Sequence, residues 1–140
     1  EKKKYKKTYY NLIEKINDIA GMRIVCTLKD DIFFIKDLIK QIPDIHILNE
    51  KDYVTNPKPS GYSSYHMIVE VPVKLSQKTI YVKCEIQIRT LAMDFWASFE
   101  HKVKYKTEQE VNKKTSKELV NCAKMISKFD DKMISLKNIQ

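Results

Sequence analysis

Three polar side chains alternate with apolar ones in a segment that has the pattern of a β-strand. Glu85, Gln87 and Arg89 are each two residues apart, so in a strand they project from one face at intervals of about 6.6 Å. A carboxylate, an amide and a guanidinium in one row can bind a metal ion, a hydroxyl or a phosphate. A solvent-facing strand shows the same alternation without any chemistry, so the row alone leaves both interpretations open.

A second carboxylate and one loop could extend this row. Asp18 directly precedes the first strand-like segment, where an aspartate commonly caps a helical turn. Two carboxylates that converge from neighbouring elements can instead hold Mg²⁺, which takes oxygen ligands and retains waters and substrate phosphates. The loop from Lys58 to Tyr62 supplies a cation, a glycine and an aromatic ring. A tyrosine ring can stack on a base, although a lone loop tyrosine more often packs against its own protein.

Several common catalytic motifs are absent from the sequence. The two glycines, Gly21 and Gly61, are too far apart for a phosphate-binding loop and too few for a dinucleotide-binding loop, and no His-Glu-x-x-His motif occurs. The three cysteines, Cys26, Cys84 and Cys122, are odd in number and not spaced for zinc, so we expect reduced thiols in a cytoplasmic protein. No apolar run approaches the ~18 residues of a membrane span, and we expect no membrane partner.

The basic charge is concentrated at the two ends of the chain. The 140 residues carry a net charge of +8, and their number fits one domain. Such charge is compatible with a nucleic-acid partner, but lysine-rich ends are also typical of solvated helix faces. Only two arginines occur, Arg23 and Arg89. Because arginine is a planar cation that binds bidentately and stacks, these two positions are the more informative ones.

Hydrophobic periodicity predicts a mixed-sheet α/β or α+β domain. Alternation along the last two predicted strands places apolar residues on one face and His66, Glu70 and the Glu85 row on the other. The predicted strands cover residues 22–28, 45–49, 65–73 and 79–89, and the predicted helices cover 30–42, 91–105 and the last 30 residues, with the end of a further helix at 9–17.

Two of the predicted helices carry apolar stripes. In the helix over 91–105 the stripe consists of Leu91, Phe95 and Phe99. The last helix has a heptad-like pattern that requires a neighbouring helix, either from its own chain or from another copy. That pattern consists of Leu119, Cys122, Ile126, Phe129, Met133 and Leu136.

Six ordered motifs together resemble the RelA/SpoT-type alarmone synthetase domain, and most closely the single-domain small alarmone synthetases of Gram-positive bacteria. The resemblance covers about residues 11–106 and implies an α+β fold with a mixed β-sheet flanked by helices, related to nucleotidyltransferases, and with C-terminal helices. The motifs are Asp18–Arg23, Lys51–Tyr53, Asn56–His66, Glu85–Thr90, Met93–Ala97 and Glu100–Lys102.

The resemblance implies a GTP pyrophosphokinase of the stringent response. Such an enzyme transfers the β,γ-pyrophosphate of ATP to the ribose 3′-OH of GDP or GTP, which gives ppGpp or pppGpp and AMP. Asp18 resembles the Mg²⁺-binding aspartate of the family. Glu85 resembles its second essential acid, which is a metal ligand or the base that activates the 3′-OH. Both roles suit the reaction, because the hydroxyl needs a proton acceptor and the transferred group needs charge neutralisation.

The resemblance also implies the substrate-binding residues. Tyr62 matches the ring that stacks on guanine, and Arg23 matches a basic residue on the ATP side. The positions that match the acceptor-phosphate and guanosine pocket, or line the same sheet face, are Lys51, Lys58, His66, Gln87 and Arg89.

The sequence departs from the family pattern at three places. Ser63 stands where many relatives have arginine or another long polar residue, and Ser60 stands where asparagine is frequent. The upstream Arg-x-Lys-Ser-Pro stretch that contributes ATP contacts is absent from the given sequence, either because the sequence is truncated or because the protein lacks the stretch. If the given chain is the whole protein, we expect weak or no ATP binding. The His-Asp dipeptide of the family's hydrolase half does not occur, so we expect synthesis only.

Residues 1–106 are thus predicted to form the catalytic domain and residues 107–140 a helix for packing or oligomerisation. Resemblance to the small synthetases implies a homotetramer. The alternatives are a catalytically weak or inactive regulatory module that binds nucleotides or RNA on the same fold, and a plain oligomerisation domain. Retention of both Asp18 and Glu85 argues against a pure binding module, because two acids repel polyanionic ligands.

Overall fold

The computed structural model describes residues 20–106, 112–137 and 139. Asp18 and the helix end predicted at 9–17 lie outside these residues. In chain order the elements are β1 (Ala20–Cys26), α1 (Lys29–Lys40), β2 (His46–Asp52), β3 (Tyr65–Lys74), β4 (Thr79–Thr90), α2 (Leu91–Lys106) and α3 (Lys113–Lys137).

The four strands form one mixed sheet in the order β1-β4-β3-β2. β1 is parallel to β4, whereas β3 is antiparallel to both β2 and β4. The parallel pair is possible because α1 and the other two strands separate β1 from β4 in the chain. This architecture confirms the predicted α+β fold with a mixed sheet flanked by helices.

One face of the sheet forms the core with α1. Met67, Val69 and Ile88 are fully buried, and Ile32 of α1 is buried in the same cluster. The alternation predicted for β3 and β4 is therefore confirmed. β1 ends earlier than predicted, at Cys26, because the next residues start the helix. There the Leu28 amide donates to the Asp31 carboxylate at 3.0 Å, which stabilises the first turn.

The apolar stripe predicted for α2 is wrong as a core-facing surface. Leu91, Phe95 and Phe99 are 64%, 70% and 50% exposed, whereas Met93 and Trp96 are buried. The helix carries large apolar residues around most of its circumference, so periodicity could not identify the packed face. The rings of Phe95 and Phe99 stack on each other at the surface, with centroids 6.5 Å apart.

Helix α3 folds back against its own chain but leaves part of its predicted stripe exposed. Leu119 is buried, while Phe129 and Leu136 are 57% and 47% exposed. The packed face is instead fixed by two buried hydrogen bonds: the Trp96 indole donates to the Leu119 carbonyl at 2.9 Å, and the Thr90 hydroxyl donates to Asp130 at 2.8 Å. In the described part of the chain, no helix combines the length and apolarity that a membrane span requires.

Candidate active site

The strand register brings the predicted site residues into one row across the sheet. Lys51 of β2 lies opposite His66 of β3, His66 lies opposite Gln87 of β4, and Gln87 lies opposite Arg23 of β1. Glu85 is two residues before Gln87 and therefore shares its face. This is the face of the sheet opposite the core, so its polar groups can meet a ligand.

A chain of hydrogen bonds runs from Arg89 to Glu85 through two aromatic side chains. The Arg89 guanidinium donates to the Tyr62 hydroxyl at 2.6 Å. The Tyr62 hydroxyl lies 2.8 Å from Nε2 of His66, and Nδ1 of His66 lies 2.9 Å from Oε1 of Glu85. A neutral imidazole satisfies both contacts only if Nδ1 carries the hydrogen and donates to the carboxylate, so the hydroxyl donates to Nε2.

A second path connects the same two charged groups through Gln87. Arg89 donates to Oε1 of Gln87 at 2.7 Å, and Nε2 of Gln87 donates to Oε2 of Glu85 at 3.0 Å. Each carboxylate oxygen of Glu85 thus accepts one hydrogen bond. The two donors fix the orientation of the carboxylate and leave further lone pairs on both oxygens.

These contacts determine the protonation states at the centre of the site. Burial favours the neutral form of Glu85, but hydrogen bonds from Gln87 and His66 hold the pKa of this carboxyl below its usual value. Burial lowers the pKa of His66, and the charges of Arg89 and Lys58 act in the same direction against the attraction of Glu85. At neutral pH the pair therefore consists of an ionised carboxylate and a neutral imidazole.

Asp94 holds both arginines of the chain and was not among the predicted site residues. Its Oδ1 atom lies 3.2 Å from Arg89 Nη1 and 3.3 Å from Arg23 Nη1. Arg89 is buried and also donates to Ser64 at 3.3 Å, whereas the Arg23 side chain is 51% exposed. The motif Met93–Ala97 contains Asp94, but its sequence neighbours gave no sign of these partners.

The loop before β3 carries cations over aromatic rings. Nζ of Lys58 lies 4.7 Å from the Tyr53 ring centroid and 4.9 Å from that of Tyr62. The Arg89 guanidinium lies 5.1 Å from the Tyr62 centroid, so two cations contact this ring. The turn closes through a 2.8 Å hydrogen bond from the Gly61 amide to the Lys58 carbonyl. Gly61 has a φ of 93°, a value that favours glycine.

A cavity of about 200 Å³ joins these groups. Lys51, Lys58, His66 and Glu85 all line it, together with Asn49. Two ammonium groups can neutralise phosphates, and a carboxylate beside them can bind a hydroxyl or a metal ion. Four of the predicted residues are thus brought together here, whereas Arg23 lies beside Asp94.

The described residues supply part of a metal site. Among residues 20–106 and 112–137, no group of three or more histidine, cysteine, aspartate or glutamate side chains could hold a metal ion. Glu85 presents an oriented, ionised carboxylate, which fits one or two ligands of a hydrated divalent cation. Asp18, the other predicted ligand, is outside the described residues.

Comparison with known proteins identifies the family. The chain belongs to the family described as a region found in RelA / SpoT proteins, which matches residues 1–110. This confirms the resemblance seen in the sequence.

The similar proteins include a GTP pyrophosphokinase and two solved synthetases. The GTP pyrophosphokinase YwaC of Bacillus subtilis is 48% identical over 124 residues, which are 89% of this chain and 59% of YwaC. Small alarmone synthetase 2 of B. subtilis has a TM-score of 0.87 and 45% identity, covering 94% of this chain and 74% of that one. Small alarmone synthetase 1 of B. subtilis, bound to its product pppGpp, has a TM-score of 0.85 and 36% identity, covering 92% and 66%.

Proposed function

We propose that this protein is a GTP pyrophosphokinase that makes ppGpp or pppGpp and has no hydrolase activity. The observation that carries the proposal is the ionised Glu85 carboxylate, held by His66 and Gln87 in a cavity lined by two lysines. The name of YwaC and the product bound to small alarmone synthetase 1 support it. The chain spans 59% of the length of YwaC, and ATP, GDP and GTP are proposed as its substrates by this likeness.

In the proposed reaction, the 3′ oxygen of GDP or GTP attacks the β-phosphorus of ATP. A bond forms between that oxygen and the β-phosphorus, and the bond from the β-phosphorus to the α,β-bridging oxygen breaks. The bridging oxygen leaves with AMP, and the hydroxyl proton passes to solvent water. Because the pKa of Glu85 is lowered, its carboxylate is a weak base and is better suited to bind a cation and orient the hydroxyl.

The acceptor nucleotide is proposed to bind at the loop and the cavity. Lys51 and Lys58 would neutralise its phosphates, and Tyr62 would stack on guanine. Since the Lys58 ammonium contacts the Tyr62 ring, guanine stacking requires this exposed side chain to move toward the phosphates. His66 is proposed to act through Glu85.

The ATP side is proposed to lie at β1. Arg23 is the basic residue there, and Asp94 connects it to Arg89. Gln87 lies opposite Arg23 in the register, so Gln87 and Arg89 would separate the two nucleotides. This arrangement would place the ATP phosphates near Glu85.

A divalent cation, proposed to be Mg²⁺, would be held by Glu85 and Asp18. When bound, it would neutralise the transferred pyrophosphate and the leaving group. Ala20, the first described residue, lies opposite Cys84, and Gly21 lies opposite Glu85. The described residues contribute the carboxylate of Glu85 and the donors that orient it.

We also propose that residues 1–106 form the catalytic unit and that the C-terminal helix contributes packing and assembly. The protein is proposed to be a homo-oligomer, and a tetramer is the expected size. The exposed apolar side chains on α2 and α3 support assembly, because surface clusters of this kind are typical of interfaces. They include Phe95, Phe99, Met125 and Phe129.

Thin-layer chromatography tests the proposed function. The purified protein, with its chain extended upstream of Glu1, is incubated with Mg²⁺, GDP or GTP, and ATP labelled in the γ-phosphate. We expect label in ppGpp or pppGpp, dependent on both nucleotides and abolished by EDTA. Label in inorganic phosphate alone, or no turnover in the presence of tight GDP binding, would favour the regulatory module instead.

A further inference from the structure

The loop from Lys58 to Tyr62, proposed above to bind the acceptor nucleotide, contacts helix α3 through Gly61. A Cβ atom built at Gly61 would come within 2.5 Å of the Ala123 Cβ, 3.4 Å of the Trp96 ring and 3.5 Å of the Val120 Cα. Cβ atoms do not approach each other this closely in folded proteins, so the contact requires glycine in the loop. It also requires a small side chain at position 123 of the helix.

Helix α3 is held in place independently of this contact. Its N-terminal half is tied to α2 by the Trp96–Leu119 hydrogen bond, and its middle is tied to the end of β4 by the Thr90–Asp130 hydrogen bond. Nζ of Lys29 donates to Asp131 at 2.7 Å. The helix is therefore a fixed support, and the loop must adjust to it.

The contact between Gly61 and Ala123 borders a cavity of about 310 Å³ between the loop and the helices, and both residues line it. Pro57 and Pro59 also line it from the loop side, and Trp96, Val120 and Ile126 line it from the helices. This space separates much of the loop from α3. The packing at Gly61 therefore largely determines the distance between the loop and the helix, which we call the height of the loop.

The height of the loop determines where its neighbour Tyr62 lies. The Tyr62 hydroxyl makes hydrogen bonds of 2.6 Å with Arg89 and 2.8 Å with His66. A displacement of the loop by about 1 Å would break both, since hydrogen bonds weaken beyond about 3.2 Å. It would also displace Lys58, which lies on the same turn.

We propose that Ala123 is a positioning residue for acceptor binding: its small side chain sets the height of the loop that carries Lys58 and Tyr62. The inference rests on the proposed function in taking this loop as the acceptor site. It assigns a role to a helix that lies beyond the residues matched by the family.

The test compares Ala123→Leu with Cys122→Leu in the full chain. Cys122 is the neighbouring residue and is exposed, so it receives the same side chain away from the loop. Calorimetric titrations with GDP and with a non-hydrolysable ATP analogue give the two affinities, and Tm reports folding. We expect Ala123→Leu to weaken GDP binding by ~10-fold or more, because it would displace both the Tyr62 ring, whose stacking on a base is worth a loss of this size, and the Lys58 ammonium. The ATP analogue should bind within twofold of wild type, as should both ligands in Cys122→Leu.

A conservative variant and a spectroscopic signal separate the possible failures. Ala123→Ser should retain GDP affinity, because its side chain is nearly as small. Trp96, the single tryptophan, should show altered acrylamide quenching in Ala123→Leu, since its ring lies near Gly61. Unchanged GDP affinity, or equal weakening of both ligands with a lowered Tm, would overturn the role of Ala123. A wild-type protein that binds no GDP would instead refute the proposed function, and the Trp96 signal would still show whether position 123 controls the loop.

Discussion

Nδ1 of His66 lies 2.9 Å from Oε1 of Glu85, and the neutral imidazole donates its one hydrogen to that oxygen. The other ring nitrogen accepts from Tyr62, so His66 has no proton to exchange with a substrate in this arrangement. We therefore propose that His66 orients Glu85, and its hydrogen bond is one cause of the lowered pKa of that carboxyl.

Replacement of His66 by alanine should shift the pH dependence of activity. Because the hydrogen bond from His66 is one cause of the lowered pKa of Glu85, its loss raises that pKa. If activity requires the ionised carboxylate, the fall in activity on acidification should begin at a higher pH in the variant than in the wild type. The acid limb of kcat/KM, measured from about pH 3 to 8, is expected to move upward in the variant, and a limb that stays in place would exclude this role.

The same contact contributes to the stability of the fold in one pH window. Because the folded pKa of Glu85 lies below its usual value, its contribution is present above the unfolded pKa and is lost as pH falls through the folded value. In His66→Ala, the free energy of unfolding should therefore depend less on pH in this acidic range.

The hydroxyl and the ring of Tyr62 should have separable functions. Tyr62→Phe keeps the stacking surface but removes the hydrogen bonds to Arg89 and His66. We expect GDP affinity within about twofold of wild type and turnover reduced ~10-fold or more, as for other groups that orient a reacting residue. Tyr62→Ala should in addition cost ~1–3 kcal/mol of acceptor binding by loss of stacking. Equal behaviour of the two variants in GDP titrations would show that the ring does not stack.

Asp94 should stabilise the protein more than an ordinary surface aspartate does. It is the carboxylate partner of the buried Arg89, and removal of one partner leaves a buried charge less well paired. Asp94→Ala should lower the free energy of unfolding by ~1–3 kcal/mol. Asp37, which pairs with Lys36 and is 58% exposed, is the matched control, and Asp37→Ala should be within about 0.5 kcal/mol of wild type. Denaturant unfolding measures both, and similar losses would argue against the anchoring role.

Two neighbouring positions on α3 should separate folding from assembly. Ile126 lines the cavity beneath the loop, whereas Phe129 is 57% exposed. Ile126→Asp should lower Tm, because it places a charge beside an apolar wall. Phe129→Asp should leave Tm of the single chain nearly unchanged and convert an oligomer into a smaller species. Light scattering reads the mass, and a wild type that is monomeric at high micromolar concentration would contradict assembly.

Sequence periodicity predicted the sheet well because the two faces of its strands differ strongly. His66 and Glu85 alternate with residues such as Met67 and Ile86, and a period of two admits only one assignment. For helix α2, periodicity did not predict the buried face. Phe95 and Trp96 are adjacent, and the pattern allows either of them to face the core. Only the tertiary contact between Trp96 and Leu119 decides between them.

The network within the site could not be predicted from the sequence. The resemblance placed Glu85, His66 and Arg89 in one site, but their connection depends on side-chain contacts over 19 to 27 residues. Asp94 pairs with Arg23 of β1 as well as with Arg89 five residues earlier. Gly61 meets Ala123 of α3, and no local pattern marks the distant partners. A carboxylate that pairs with two arginines has the same sequence appearance as any surface aspartate.

The central claim is that the ionised Glu85 carboxylate takes part in pyrophosphate transfer, and Glu85→Gln tests it most directly. The substitution preserves shape but removes charge. Turnover of labelled ATP and GDP into ppGpp is measured by thin-layer chromatography beside a calorimetric GDP titration. The account predicts turnover reduced by ~10²-fold or more with GDP binding retained, and near-normal turnover would contradict it.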